Sequence, residues 1–550
     1  MRALFVLLAC LAVLSSCGAT SRPPAAEAWT TESELVTAIG SDPDTIDPQR
    51  ASFLSEASVI GLVFEPLLTY DPGTLSLIPA AARSLPDVSP DGRVYTYRLR
   101  PGLVYSDGAP LTAWHFASAF ARLCDPRTRS DMAFVAFPIA GCGAWNEIDL
   151  WRATADELAA AEAKLGVRAL DAETLQFTLA EPAAHFPQVT ALWVGAPLRA
   201  TAVEPATWPA PAPRENVGNG PFRLVEWKRG ERMVFERNER YRAPVRLRRW
   251  TKVVMVDSAS SRRAYDEGRL DAVAVTPADD ADRDALLMRP DLARTLGQCT
   301  SYVGLNTARP PFDDPLVRLA FAKAIDKEEY ARVIDRTGRA AASLVPHGQP
   351  GHAHDDRIQG FDPAEARRLL AASRYGSAQA LPGVAFTYGA SVRNTPRVQW
   401  LLSQWYASLG IQVRADPVQT TAYGSALFKR PDITPQLSLM GWCGDFPDGD
   451  EWYGALFRTN GASSGRTHFG DPAFDALLRQ ADGERDVLAR QRTYERASAM
   501  LSRSAPGAWL TWSETWWLVG AHVKGVELST FDHDFAQLSA GRIYRTGPGP

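Results

Sequence analysis

The residues best suited to chemistry form one short run, Gly441-Trp442-Cys443-Gly444-Asp445-Phe446-Pro447-Asp448. It sets a rigid aromatic, a cysteine and a carboxylate beside a proline turn. A carboxylate held in a partly desolvated pocket makes a strong charge-assisted contact with an ammonium, so Asp445 is suited to seating a cationic head group. The plainer alternative is a surface loop with a solvated aspartate. Two other runs invite a chemical reading. Gly461-Ala462-Ser463-Ser464-Gly465 satisfies the bare G-x-S-x-G of a hydrolase elbow. Its flanks, Arg458-Thr459-Asn460 and Arg466-Thr467-His468, are polar where an elbow needs a buried strand and then a helix, so a flexible loop is expected. His347, His352 and His354 crowd Asp355 and Asp356 in a Pro- and Gly-rich segment. Such residues can ligate a metal, but in a loop of this kind they are expected to be solvated, and no metal is expected. His468 has still less around it. The sequence contains neither H-E-x-x-H nor a P-loop.

The elements that must position these residues alternate in type. Leu35 to Ile39 and Val94 to Leu99 read as strands. Ala113 to Leu123 reads as a helix capped by Thr112, with Trp114, Phe116 or Ala117, and Phe120 or Ala121 on one side. Leu316 to Ile325 and Val398 to Leu409 read as helices, the latter ended by Gly410 and followed by a strand Ile411-Gln412-Val413. Prolines at 205, 209, 211 and 213 mark a loop. Trp400 and Trp405 are expected in the core, and Tyr423 is a weak candidate for a cleft. The mixture predicts α/β lobes. A chain of 550 residues exceeds one hydrophobic core, so two or three lobes are expected. A 45% hydrophobic and 22% charged composition excludes disorder, and a net charge of −4 gives no reason to expect a nucleic-acid partner.

The amino terminus reads as an export signal. Arg2 precedes an apolar run from Ala3 to Leu14, too short for a permanent span, which ends in Leu14-Ser15-Ser16-Cys17. Residues 18–32 then read as a flexible tether. Of six cysteines, Cys124, Cys142, Cys299 and Cys443 remain for the mature fold. In an oxidising compartment these suggest two disulfides, with three pairings open.

The motif at 441–448 resembles the "GW-x-aD" block of the oligopeptide-binding proteins of ABC importers, the peptide and nickel receptors of solute-binding family 5. Other blocks follow in the same order. Asp44 to Pro48 with Val63 to Leu68 is similar to the amino-terminal "lDP … E-g-L", and Leu103 to Ala113 to "f-s-D-G-t-p-l-T-A". Asn219 to Phe222 with Trp227 and Asn238 to Tyr241 is similar to "GTGPY … W … N-x-x-Y". Tyr265 to Asp271 and Leu305 through Phe312 to Asp326 resemble "y-x-x-G-e-l-D" and "l-N-t … P-F-d-D-x-x-V-R".

The resemblance implies a periplasmic-binding-protein-like α/β fold: two large lobes with a hinge, plus an additional smaller domain. By it, residues 1–17 are a lipoprotein signal. Residues 33–64, 186–298 and 508–550 form lobe I, 65–185 the additional domain, and 299–507 lobe III. Closure of lobes I and III around a ligand is the implied working motion. The implied function is capture of short peptides, with Asp445 holding the α-ammonium and the backbone of Trp442, Cys443 and Gly444 forming one edge of an added strand. Ser52, Phe53 and Leu54 form the facing edge. A dipeptide, haem or nickel-chelate receptor is the alternative within the superfamily, and a secreted hydrolase a remote one. The resemblance implies lipid attachment at Cys17, anchoring at the cell envelope, ABC permease and ATPase partners, a monomer, and neither catalysis nor a cofactor. Ordinary signal-peptidase cleavage at an Ala-x-Ala-like site, with Cys17 discarded or free, is the other outcome. The resemblance also pairs Cys299 with Cys443, leaving Cys124 with Cys142 around a short loop. The first bridge closes a long loop, worth on the order of 4–5 kcal/mol by chain entropy.

Overall fold

The computed structural model describes residues 34–198, 217–354, 356–419, 423, 425–461, 463–532 and 534–546. Cys17 with its leader and tether, the prolines from 205 to 213, and Asp355 lie outside the described residues.

An eleven-stranded mixed sheet organises the chain. In chain order its strands are β1 (Glu34–Ile39), β2 (Phe222–Lys228), β3 (Arg232–Arg237), β4 (Arg249–Val254), β5 (Ala272–Val275), β6 (Leu292–Leu305), β7 (Arg339–Ala340), β8 (Val384–Ala390), β9 (Val413–Gln419), β10 (Leu437–Cys443) and β11 (Gly507–Val519). The spatial order is β9-β8-β10-β6-β11-β5-β1-β4-β3-β2, with β7 on β11. The long strands β6 and β11 carry the sheet from one half of the molecule to the other. Their Trp, Leu, Thr and Val content suits a strand buried on both faces, and β11 is almost wholly buried.

The β6–β11 ladder is broken in its middle. Leu296 faces Glu514 and Thr300 faces Trp512, so Gly297, Gln298 and Cys299 together oppose Ser513. A Cβ on Gly297 would lie 2.0 Å from the Ser513 Oγ, which accepts the Cys299 amide at 3.1 Å. Only glycine fits this close approach. Beyond the bulge, separate cores form. One gathers residues from Leu35 to Trp250 with Phe535 and Ile543, and another residues from Val303 to Leu439 with Ala508 and Leu510. A third packs Tyr302, Trp452, Tyr453 and Trp509.

A separate four-stranded antiparallel sheet, in the order Asp87–Val88, Val94–Arg98, Thr174–Thr178, Val167–Ala169, packs with the helix Ala113–Cys124. That helix buries Phe116, Phe120 and Leu123, whereas Trp114 is 50% exposed. Phe116 and Phe120 lie on the expected side, but Trp114, one step from the buried Ala113, turns about 100° away from it. The strand expected at Ile411 begins at Val413 and runs to Gln419. It passes through Pro417 because β9 is an edge strand, where a missing N–H breaks no ladder bond. The helix Asn394–Leu409 starts earlier than expected, with Pro396 in its first turn, and ends at Gly410 with φ +69°. Trp405 is fully buried and Trp400 packs on Tyr330. No helix among the described residues is long and apolar enough to cross a membrane.

Candidate functional site

The motif begins at the end of β10. Cys299 and Cys443 face each other across β6 and β10 with Cα atoms 3.9 Å apart and are joined by a disulfide; Cys124 and Cys142 form the second. The Gly444 amide donates to the Gln298 carbonyl at 3.0 Å, so the alternation of an antiparallel ladder turns the main chain of Cys443 and Gly441 outward. Strand β8 covers β10 only at Leu437 and Ser438. Further along, the Leu439 carbonyl accepts the Tyr423 hydroxyl at 2.9 Å, and the Gly441 carbonyl accepts Arg466 at 3.0 Å. Cys443 therefore ends an open strand edge. Tyr423 is committed to this sheet rather than to a cleft.

Trp442 is held by its indole N–H, which donates to the Glu451 carbonyl at 3.0 Å, while Arg466 lies over its ring at 5.0 Å. A Cβ on Gly444 would press on the Trp452 ring at 3.1 Å. Beyond Asp445, Phe446 is buried in the core of the other half and stacks on His185 at 6.0 Å between ring centres. A tight turn through Asp448 leads into the helix Asp450–Phe457.

Four carboxyls follow within seven residues: Asp445, Asp448, Asp450 and Glu451. Asp448 accepts from Arg490 at 2.8 Å and from the Tyr494 hydroxyl at 2.9 Å. Asp450 pairs with Arg458 at 2.8 Å, and Arg458 also holds Asp482 at 2.9 Å; His185 stands 3.7 Å from Asp450. Burial opposes charge on Asp450, but His185 and Arg458 outweigh it and hold its carboxyl below the usual range. Burial, then the charge of Asp450, pushes Asp482 up to about 6.

Asp445 and Glu451 are different. Glu451 is 2% exposed, and its Oε1 lies 3.4 Å from the Asp445 amide. Among the described residues neither carboxyl has an ion-pair partner. Burial pushes Asp445 up to about 7, against a hydrogen bond from Glu451 that lowers it. Burial and the neighbouring Asp445 push Glu451 well above the ordinary carboxylate range. Tyr70 belongs to the same neighbourhood, its hydroxyl pushed up by burial and by the charges of Asp448, Glu451 and Asp445.

Asp445 and Tyr70 line a cavity of about 360 Å³ with Glu65, Tyr241, Arg242 and Phe531. Its other charges are matched, Arg242 holding Glu65 at 2.6 and 2.7 Å and Arg542 pairing at 3.1 Å with Glu527 outside the cavity lining. Leu54 lines a second cavity of about 260 Å³, which contains the bulge residues Gly297, Gln298 and Cys299. Asp445 and Leu54 thus open onto neighbouring spaces rather than one. Ser52 and Phe53 line neither, and both their amides donate to the Glu56 carboxylate, at 2.8 and 3.0 Å.

The sequence reading missed Glu451 and Tyr70; the acid run 448–451 was the only available signal. Of the histidines expected to be solvated after Pro346, His347 and His354 are exposed, but His352 is 4% exposed, its Nδ1 is 2.9 Å from the Val345 carbonyl, and burial lowers its pKa. Its ring packs between His347, His354 and Trp512. The three ligand-type side chains that do converge among the described residues are His185, Asp450 and Asp482, with Arg458 already bonded to both carboxylates. Ser463 precedes a short 3₁₀ turn, not the helix after a strand that an elbow requires.

Residues 76–464 match the profile of the bacterial extracellular solute-binding proteins, family 5. The chain is 28% identical over 491 residues to the periplasmic murein peptide-binding protein MppA of Escherichia coli, covering 86% of each. It is equally 28% identical, over 85% of each chain, to the probable deoxycholate-binding periplasmic protein YgiS of the same organism. The solved structure of the E. coli murein tripeptide-binding protein MppA superposes with a TM-score of 0.76 at 26% identity, covering 94% of this chain and 99% of that one. Fold and sequence agree, and the chain belongs to the family 5 extracellular solute-binding proteins, the receptor components of ABC importers.

Proposed function

We propose that this chain is a receptor for short peptides, which it captures outside the cytoplasm and passes to an ABC permease driven by a cytoplasmic ATPase. The observation that carries the reading is the juxtaposition of a carboxyl without an ion-pair partner, Asp445, and the outward main chain of Cys443 at an open strand edge. An α-ammonium neutralises the first, and an extended peptide backbone extends the second by strand addition. Affinity then comes from groups that all peptides share. Murein-peptide and oligopeptide receptors among the relatives support the ligand class.

The remaining parts of the reading are the lipid at Cys17, a monomeric state, and two lobes, 33–64 with 186–298 and 508–550 against 299–507, that close around the ligand. The bulge in β6 and β11 supports a hinge there. Leu54, beside the bulge cavity, supports a facing edge carried by Ser52 to Leu54. Its Ser52 and Phe53 amides already cap a helix, so its contribution rests on carbonyls and the Leu54 side chain.

Native mass spectrometry of the protein lacking residues 1–17, offered a mixed peptide library, tests the reading. Retained short peptides that are lost in Asp445→Asn are the expected result. Retention of a bile acid or another nonpeptide with no peptide bound overturns it.

A further inference from the structure

Glu451 has no place in the peptide seat as described so far, yet it is the least ordinary group near it. It is a nearly fully buried acid, its Oε1 accepts the Asp445 amide at 3.4 Å, its carboxyl shares a hydrogen bond with the Asp445 side chain, and no described cation pairs with either. The groups packed around it do not change that balance. On its own turn and helix, Asp448 is taken by Arg490 and Asp450 by Arg458. The helix Val487–Ser504 brings Arg490 and Tyr494, both bonded to Asp448. The strand Leu68–Tyr70 brings the un-ionised phenol of Tyr70, bonded to the Gln188 carbonyl at 3.3 Å. His185 and Asp482 face Asp450 and Arg458.

Two hydrogen-bonded carboxyls, Glu451 buried and Asp445 half-buried, repel each other when both are charged without a cation, so the pair favours keeping a proton between them. An ammonium has three N–H donors and can bond two carboxylates at once. We infer that Glu451 completes a two-carboxyl seat with Asp445, which takes up the primary ammonium of the ligand in exchange for a proton. The inference rests on the peptide reading and adds to it a second binding residue and a coupled proton. The exchange balances: the seat loses one H⁺ to solvent and gains one positive charge from the ligand, with no covalent bond made. The sign follows: affinity is full where the pair is ionised and is lost as pH falls through the range in which it protonates, by about tenfold per pH unit for one proton.

The test is titration calorimetry of the full mature protein with a free-amino tripeptide and its N-acetylated twin. Buffers of unlike ionisation enthalpy are used, between about pH 5.5 and pH 8. The expected result is an apparent enthalpy that tracks the buffer, reporting proton release, with affinity falling toward acid for the free-amino peptide. In Glu451→Gln the ammonium keeps one carboxylate instead of two, and the affinity advantage of the free-amino peptide over its N-acetylated twin is expected to shrink while the pH dependence carried by Asp445 remains. Peptide binding with equal enthalpy in all buffers and a flat pH profile overturns the two-carboxyl seat while leaving the peptide reading intact. No binding of either peptide at any pH overturns the peptide reading itself. The wild-type buffer series needs no variant, so a Gln substitution that fails to fold does not spare the inference.

Discussion

Asp448 and Asp450 on one side, and Asp445 and Glu451 on the other, are neighbours in sequence with opposite electrostatic fates. The first two are locked to Arg490 and Arg458 from distant elements. The second two meet only each other among the described residues. Burying a charge is tolerable when a partner comes with it and costly when none does. The matched pair therefore belongs to the fold, and the unmatched pair holds unfavourable energy that a cation would relieve. This is the usual tension between stability and function, confined here to one turn.

The contrast can be broken at its strongest point. Arg490→Ala leaves Asp448 buried without its cation and is expected to cost about 3–5 kcal/mol in chemical denaturation; a loss below about 1 kcal/mol would show that the matched side is not structural. Opening the Cys299–Cys443 bridge with a double serine substitution is expected to lower unfolding stability by up to about 4–5 kcal/mol. Fragment mapping that joined Cys299 to Cys124 or Cys142 would contradict the pairing. Next in size, Asp445→Asn is expected to weaken peptide binding by about 2–4 kcal/mol, read by calorimetry at neutral pH, while the protein stays folded. Unchanged affinity would move the ammonium seat elsewhere.

The smallest effect sharpens the comparison most, because its sign differs between the two sides. A carboxyl raised to about 7, as Asp445 is, binds protons in the native state that the unfolded state has released. Its ionisation thus subtracts stability as pH rises from the ordinary carboxylate range through 7, and the subtraction is absent below that range. Asp445→Asn without ligand is therefore expected to raise stability by on the order of 1 kcal/mol at pH 8 and to do nothing at pH 4. A destabilised variant at pH 8 would mean that Asp445 has a cation partner after all.

Much of the site was legible because its parts are local. Trp442, Cys443, Gly444 and Asp445 are contiguous, and their block pattern carried the disulfide partner Cys299 with it. What stayed hidden was set by distance. Whether an acid in the run 448–451 is matched depends on Arg490, 42 residues from Asp448, and no spacing rule links the two. His352 was misjudged for the same reason, since the loop after Pro346 is roofed by Trp512 from the far end of the chain. Of the fold, the alternation of strands and helices was readable from periodicity. The phase at Trp114 and the edge position that admits Pro417 were not, because both depend on which neighbour a surface meets.

The bulge opposite Ser513 has a mechanical consequence. The bridged pair Cys299–Cys443 starts within it, so under the proposed closure about this point the residues that would grip a ligand's amino end would sit almost on the fulcrum. Displacement under rotation grows with distance from the axis. Bending concentrated at this point would sweep the outer rims through a wide arc while scarcely moving the grip, so the first residue of a guest would meet the same geometry in the open and the shut jaw.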